Sequence, residues 1–396
     1  MDTLDHLPPL PLIINYRHRS YRRSLHGIDL TEQDESGIYH TLRLHGRVRH
    51  IELDLPPSIL HQVVVLMDQH FPILEHLSLS CAVTCKDNLP FTFPNAFLAP
   101  NLRHLTLPNI SPPRRLRFLT STVALITLNL SDIQTSSYLR PRLLVARLRS
   151  LPQLEELSIN FSTPMPHPSS ERELLGEKRA PITLPNLKTL QFKGVGTYLE
   201  SLVAQIRVPL LECLSITLFN QIAFSLPHLF LLINSFTEGF KLPTARVTFG
   251  RKEVSVTAAY GWVSREVLHF SVICKQLDWK IDCAAQICQA IIPALSHVDE
   301  LSLYCNLDYS QEIQTELQNS DIDSATWHDL LRSFIGVQRL YINDNLLEEL
   351  SGALQAEVGS DPGFLPNLRY IGTVRNLFTS FIDTRQALGR PVLFKL

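Results

Sequence analysis

The sequence has little net charge. Its 36 lysines and arginines nearly balance 38 acidic residues, which leaves a formal net charge of −2. Composition therefore gives no global reason to expect a nucleic acid or an anionic membrane as partner. The charge is unevenly placed: residues 1–150 hold 16 Lys and Arg against 12 Asp and Glu, and residues 151–396 hold 20 against 26.

Cysteine is sparse and irregular. Seven cysteines, an odd number without regular spacing, give no disulfide framework, which favours a reducing compartment. The first residues are acidic where a secretory signal would be basic. No uncharged apolar run is long enough to span a bilayer, and the longest candidate, residues 224–236, contains Pro, His and Asn. We therefore expect a cytoplasmic or nuclear protein without a membrane partner.

Catalytic motifs are also lacking. The sequence contains no G-x-S-x-G, H-E-x-x-H or G-x-x-x-x-G-K-[ST] motif, so no catalytic residue and no cofactor are predicted. Two cysteine pairs, each with a further candidate ligand nearby, come nearest to a metal site: Cys81 and Cys85 with His70 and His76, and Cys283 and Cys288 with Cys274. Structural zinc usually needs two close ligand pairs, so buried thiols are favoured and no metal is predicted. A metal-assisted enzyme with a loop-borne site stays open as an alternative.

What the sequence does contain is a recurring leucine-rich phrase. Its full form is a proline followed by Leu-x-x-Leu-x-Leu or a close variant. Such copies stand at residues 71–79, 99–107, 151–159, 184–192, 208–216 and 365–371. Weaker copies without the proline stand at residues 48–53, 125–130, 298–303 and 337–342.

The end of each phrase alternates apolar and polar residues with a period of two, as in a strand with one buried face. The proline ends the preceding helix and marks the turn into the strand. One apolar position of each phrase serves as a register mark: Ile51, Leu77, Leu105, Leu128, Leu157, Leu190, Leu214, Val247, Leu268, Leu301, Leu340 and Tyr370. Most of these intervals are close to those of leucine-rich repeats, in which stacked units share one core.

A doubly wound α/β domain would also alternate strands and helices. Its strands are buried on both faces and are continuously apolar, whereas these phrases carry a polar residue between the buried positions. Amphipathic helices are predicted before the strands, at residues 57–70, 141–150, 197–206, 225–236, 283–294 and 325–335. The fold class predicted is therefore α/β, a leucine-rich-repeat-like solenoid with a curved parallel sheet and helices on the outer side.

The predicted organisation has two parts. Residues 1–45 form a partly extended N-terminal segment, in which residues 12–14 can add a strand. Residues 46–396 form an irregular leucine-rich-repeat domain closed by a C-terminal cap at residues 376–396, where a final amphipathic helix is expected. Residues 162–179 and 309–324 have the composition of surface loops.

The polar positions of the strands are the candidate partner-binding residues, because an open repeat sheet suits a protein partner. They are His50, Glu52, His76, Ser78, His104, Thr106, Glu156, Ser158, Thr189, Gln191, Glu300, Ser302, Arg339 and Tyr341. Three histidines among them occupy the same position in successive phrases, and stacked strands would bring them together. A pH-sensitive or metal-binding column is one interpretation, and polar filler on the open face is the favoured one. A second alternative is nucleic-acid binding through arginine clusters, formed by Arg17, Arg19, Arg22 and Arg23 and by Arg114, Arg115 and Arg117.

The repeat phrases and two flanking pieces resemble the basidiomycete F-box/leucine-rich-repeat proteins, a fungal family. Residues 10–14, Leu-Pro-Leu-Ile-Ile, are similar to the strand that follows the F-box. Residues 381–392, Phe-Ile-Asp-Thr-Arg-Gln-Ala-Leu-Gly-Arg-Pro-Val, are similar to the closing motif of the family. The resemblance covers nearly the whole chain.

Membership implies the substrate-recognition part of an F-box-type ubiquitin-ligase receptor, in which the F-box binds a Skp-type adaptor and the repeats bind the target. Residues 7–10, Leu-Pro-Pro-Leu, lack the glutamate and the following helix pattern of an F-box. We therefore expect this chain to begin after the F-box, either as a degenerate relative or from a truncated reading of its gene. The adaptor is a partner only if an F-box lies upstream. The expected function is thus non-catalytic protein interaction.

Overall fold

The structure is a computed structural model that describes residues 10–17, 31–81, 91–112, 116–134, 138–164, 180–219, 225–261, 266–274, 277–306, 324–357, 365–375 and 377–395. The chain divides into two compact units, which are treated separately below. The first consists of Met1–Gly194 and Ala204–Leu211, and the second of Val195–Val203 and Glu212–Leu396.

Parallel strands form the main sheet of the first unit. The strands of this unit are β1 (Leu12–Arg17), β2 (Val48–Leu55), β3 (His76–Cys81), β4 (Phe91–Thr92), β5 (His104–Pro108), β6 (Ile110–Ser111), β7 (Thr127–Ile133), β8 (Glu156–Phe161), β9 (Ile182–Thr183), β10 (Thr189–Gly194) and β11 (Ile206–Arg207). In the main sheet the order is β1-β2-β3-β5-β7-β8-β10, with every pair parallel. The short parallel pairs β4–β6 and β9–β11 form two separate two-stranded sheets.

The register predicted for this unit is confirmed. One column of aligned residues runs through all seven strands of the main sheet: Ile14, Ile51, Leu77, Leu105, Leu128, Leu157 and Leu190. Each of these side chains is buried. A one-residue slip in any strand would turn its leucines to the solvent, so the burial of this column fixes the register.

Helices cover the buried face of the sheet. In the first unit they are α1 (Glu32–Arg43), α2 (Pro57–Leu66) and α3 (Pro141–Leu148). A proline opens α2 and α3, where its missing N–H costs nothing. The sequence pattern missed α1, although Thr31 caps its start in a capping box and the buried Ile38 and Leu42 are four residues apart. The strand expected at residues 12–14 is present as β1.

The second unit contains the remaining elements. Its strands are β12 (Cys213–Phe219), β13 (Thr244–Gly250), β14 (Glu253–Ala259), β15 (Glu266–Ile273), β16 (Glu300–Asn306), β17 (Arg339–Ile342), β18 (Tyr370–Gly372) and β19 (Leu393–Lys395). Its helices are α4 (Gly196–Val203), α5 (Pro227–Thr237), α6 (Leu277–Ala290), α7 (Ile292–Leu295), α8 (Ser324–Arg332), α9 (Leu347–Glu357) and α10 (Thr379–Ala387). Within the unit the strand order is β12-β15-β14-β13-β16-β17-β18-β19.

The expectation of an entirely parallel sheet is wrong at β14. This strand runs antiparallel to both β13 and β15, so β15 pairs with β12 and β13 pairs with β16. The mark Leu268 is aligned with Leu214, as in a regular repeat. The mark Val247 is wrong by two residues, because Ala245 is the residue aligned with Leu301. Two residues, Arg251 and Lys252, join β13 to β14, and six residues separate β14 from β15. This spacing accounts for the short interval between these two marks.

The last phrase also needs a correction. The register mark is Ile371 and not Tyr370, because Ile371 is aligned with Leu340 while Tyr370 is aligned with Arg339. Ile371 is buried and Tyr370 is half-exposed. The final helix expected from the sequence is present as α10, and β19 then adds a parallel strand beside β18.

An asparagine links successive repeats. In the phrases that read Pro-Asn-Leu, the side-chain amide of the asparagine donates a hydrogen bond to a backbone carbonyl in the preceding turn. The three bonds are Asn101 to Pro72 at 2.7 Å, Asn186 to Pro152 at 2.9 Å and Asn367 to Ile335 at 3.0 Å. Each bond joins residues about one repeat apart, so the turns are tied together independently of the sheet.

Candidate functional site

The polar positions of the phrases form aligned columns on the face of the sheet opposite the buried leucines. In the first unit one column contains Ile13, His50, His76, His104, Thr127, Glu156 and Thr189. The next column contains Asn15, Glu52, Ser78, Thr106, Asn129, Ser158 and Gln191. We call these two columns the ladder face. They arise because strand side chains alternate and the strands stack in register.

Exposure varies along the ladder face. Glu156 and Gln191 are exposed, whereas Ser158 and Thr189 are buried beneath their neighbours. The other predicted residues of this unit are half-buried: His50, Glu52, His76, Ser78, His104 and Thr106. Among the predicted residues, the most accessible side chains are therefore on β8 and β10. At the other end of the ladder face, Ile13 and Asn15 on β1 are exposed as well.

Three histidines form a continuous stack on β2, β3 and β5. The rings of His50 and His76 are nearly parallel, with centroids 4.2 Å apart, and those of His76 and His104 are 5.6 Å apart. His104 Nδ1 lies 3.2 Å from the Thr127 hydroxyl. Partial burial lowers the pKa of His76, and the positive charge that either neighbouring ring can carry lowers it further. The column predicted from the phrases thus exists, and its central ring is biased toward the neutral form.

Glu52 occupies the centre of a polar cluster beside the histidines. Its carboxylate accepts hydrogen bonds from the Arg17 guanidinium and from Asn15 Nδ2 and lies 3.9 Å from His50 Nε2. This ion pair draws Arg17 onto the ladder face. The other arginines of the first predicted cluster, with Arg114 and Arg115 of the second, lie outside the described residues, as does the side chain of Arg117.

The second unit carries its own aligned polar positions. Glu300 is aligned with Arg339, and Ser302 with Tyr341. Glu300 is buried, which the sequence did not predict. Its Oε2 atom forms an ion pair with Nη2 of Arg339 at 2.8 Å. Arg339 also lies 3.5 Å from Asp299. The guanidinium therefore neutralises a carboxylate that the surrounding residues remove from water.

A shallow cavity of about 490 Å³, largely open to the solvent, lies beside these residues. Tyr304, Tyr341 and Tyr370 line it, with the exposed Asp344 at its side. The rings of Tyr341 and Tyr370 are 5.6 Å apart. Sequence reasoning missed the cavity because the phrase pattern puts Tyr370 in the buried column and because Tyr304 lies beyond the end of its phrase. Alternation from Ser302 to Tyr304 is the signal that could have found it.

Metal-ligating side chains do not converge in the part of the chain that the structure describes, where no group of three or more His, Cys, Asp or Glu could hold an ion. Cys85 lies outside that part. Cys283 donates a hydrogen bond to the sulfur of Cys274, which lowers the pKa of Cys274, while burial raises the pKa of Cys288. Over the same described ranges, no helix has the length and hydrophobicity that crossing a bilayer requires.

The register and the layering define an α/β fold of the leucine-rich-repeat type. No protein-family model matches the chain, and no curated protein matches it. Among solved structures, the leucine-rich repeat-containing protein LegL7 from Legionella pneumophila aligns over 74% of this chain and 84% of its own, with 13% identity and a TM-score of 0.30. The fold assignment comes from the aligned strands themselves.

Proposed function

We propose that this chain is a non-catalytic protein-interaction module whose ladder face binds a protein target. The observation that supports the proposal is the difference between the two faces of the first unit's sheet. Leucines fill one face, and two aligned columns of mostly polar side chains occupy the other. Such a surface offers many separate hydrogen-bonding groups on a rigid framework, which suits a folded protein or an extended peptide.

The more specific proposal is that the chain is the substrate-recognition part of an F-box-type ubiquitin-ligase receptor of fungal type, working in the cytoplasm or nucleus. Its support is the resemblance of the repeat phrases, of residues 10–14 and of residues 381–392 to that family. The flanking pieces lie on β1 of the first unit and on α10 of the second unit with the turn that follows it. A Skp-type adaptor would be a partner through an F-box encoded upstream.

A capture experiment tests the ladder face. Partners crosslinked to the wild-type protein in cells are compared with those of Glu156→Arg and Gln191→Arg, two exposed positions on adjacent strands. The matched control is Gln62→Arg, which places the same charge on the exposed side of α2. We expect the ladder-face variants to lose a partner that the control keeps. Identical partner sets for all four proteins would contradict the proposal.

The receptor role has its own test. The transcript is sequenced upstream of the Met1 codon, and the complete product is purified with its natural adaptor. We expect an in-frame F-box and co-purification of a Skp-type protein. A transcript without an F-box, together with a product that binds no Skp-type protein, would contradict the receptor role and leave the ladder-face proposal standing.

A further inference from the structure

We propose that the cavity lined by Tyr304, Tyr341 and Tyr370 in the second unit binds an arginine side chain of the protein target. This inference rests on the proposed function, since it names the chemistry by which a protein partner would be recognised. The cavity is separate from the histidine stack, which belongs to the first unit.

The strand register brings the three rings together. Ser302 on β16 is aligned with Tyr341 on β17. Tyr304 follows Ser302 by two residues on β16, so it is the next residue of that strand on the same outward face. Tyr370 on β18 is aligned with Arg339, which precedes Tyr341 by two residues on the same face of β17. The three side chains therefore follow a diagonal across three adjacent strands, on one side of the sheet.

Gly372 makes this arrangement possible. It is aligned with Tyr341 on the outward face. A Cβ atom at position 372 would lie 2.7 Å from Cδ1 of Tyr341 and 3.1 Å from Cε1 of Tyr370. The missing side chain leaves the room in which the Tyr341 and Tyr370 rings approach each other, so a cavity with aromatic walls replaces a filled surface.

The charges around the cavity favour a cation. Among its described lining residues, Asp344 is the one that carries a formal charge. Aromatic faces also attract cations, because the ring quadrupole is negative above its plane. The nearby Arg339 is engaged by Glu300 and Asp299, so its positive charge is compensated. An acidic side chain would meet Asp344 and three aromatic rings, and is disfavoured.

Arginine fits better than lysine for a geometric reason. The guanidinium is planar and can stack on a tyrosine ring while its N–H groups donate to a carboxylate at the edge. The cavity supplies rings of this kind and one carboxylate, Asp344. Tyrosine and arginine are also the residue types that most often dominate protein interfaces.

A binding experiment with small probes tests this assignment. Saturation-transfer NMR on the full chain measures binding of Nα-acetyl-arginine methylamide, and the citrulline analogue serves as its uncharged isostere. We expect the arginine probe to bind and citrulline to bind much more weakly. Tyr304→Ala, at a side chain that is 44% exposed, should weaken arginine binding roughly three- to thirtyfold, and Asp344→Asn should also weaken it.

The control variant is Tyr260→Ala, which removes a tyrosine of similar exposure outside the cavity and should leave arginine binding unchanged. Absence of arginine binding, equal binding of citrulline, or an unchanged affinity in Tyr304→Ala would overturn the inference. The two proposals remain distinguishable in the capture experiment. A target lost by Glu156→Arg while arginine fails to bind refutes the cavity assignment alone. An arginine-binding cavity with unchanged partner sets refutes the ladder face alone.

Discussion

The imidazole rings of His50 and His76 lie face to face, with centroids 4.2 Å apart and planes inclined by 9°. The parallel register makes this contact, since it aligns His50 with His76 and His76 with His104. Two protonated rings at this separation would repel each other. Protonation of the stack therefore changes the charge of the ladder face and, with it, the folding stability of the protein.

The first prediction concerns this pH dependence. Burial and the neighbouring histidines lower the pKa of His76 below its ordinary value of 6.5. The unfolded chain then takes up a proton at a higher pH than the folded chain does. This contribution to stability is complete well above pH 6.5 and is lost as the pH is lowered from about 6.5 to the folded-state pKa, by at most about 1.4 kcal/mol per pH unit for one proton. Below the folded-state pKa no further loss from His76 is expected.

Denaturant unfolding at about pH 7 and at about pH 5, on either side of the ordinary histidine pKa, measures this slope. We expect His76→Gln to lose stability less steeply with falling pH than the wild type. His61→Gln is the matched control, because His61 is exposed on α2. An identical slope in wild type and His76→Gln would show that the stack does not contribute to the pH dependence.

The second prediction concerns the ion pair between Glu300 and Arg339. Removing Arg339 leaves the buried Glu300 carboxylate without its 2.8 Å partner. We expect Arg339→Ala to lower the free energy of unfolding by about 1–3 kcal/mol, measured by urea denaturation. Adding Glu300→Gln to this variant should restore part of the loss, because the buried side chain that lost its contact with Arg339 is then neutral.

The control is the exposed pair of Arg49 and Glu75, whose contact distance of 2.9 Å is nearly the same. Arg49→Ala should cost clearly less, since both partners remain solvated. An equal loss in Arg49→Ala and Arg339→Ala would mean that burial of Glu300 adds nothing to the pair. Because removal of Arg339 is expected to destabilise the fold, Glu156 is the better probe of binding.

Sequence reasoning succeeded where one physical requirement recurred in every unit. Burying a leucine such as Leu77 or Leu105 fixes both the strand and its register, so those columns could be predicted. It failed at β14, because an antiparallel insertion depends on short connections and not on the phrase. It also failed at the tyrosine cavity, because Gly372 and Tyr304 acquire their role only when β16, β17 and β18 are side by side.

The third prediction concerns the asparagine of the Pro-Asn-Leu phrase. Asn186 Nδ2 donates to the carbonyl of Pro152 across one repeat. We expect Asn186→Ala to lower the free energy of unfolding by about 0.5–1.5 kcal/mol. Asn186→Asp should be no better, because a carboxylate cannot donate this bond. The control is Gln153→Ala, at the corresponding exposed position of the preceding phrase; an equal loss there would contradict the proposed link.

The fourth prediction compares two glycines of the second unit. Gly372→Ala would place a methyl group 2.7 Å from the Tyr341 ring, and we expect a loss of about 1–3 kcal/mol in the free energy of unfolding. Gly352 lies inside α9, and a methyl group there would meet no described atom within 4 Å beyond the helix's own backbone. Gly352→Ala should therefore gain about 1 kcal/mol. Urea denaturation of both variants measures the difference.

The same pair of variants connects stability to binding. If Tyr341 relieves the clash by rotating away from position 372, its contact with Tyr370 is lost and the cavity changes shape. Gly372→Ala should then bind the arginine probe more weakly than the wild type, even under conditions in which both are fully folded. Gly352→Ala should bind it as the wild type does. A Gly372→Ala variant with unchanged stability and unchanged arginine binding would show that the two rings do not depend on the missing side chain.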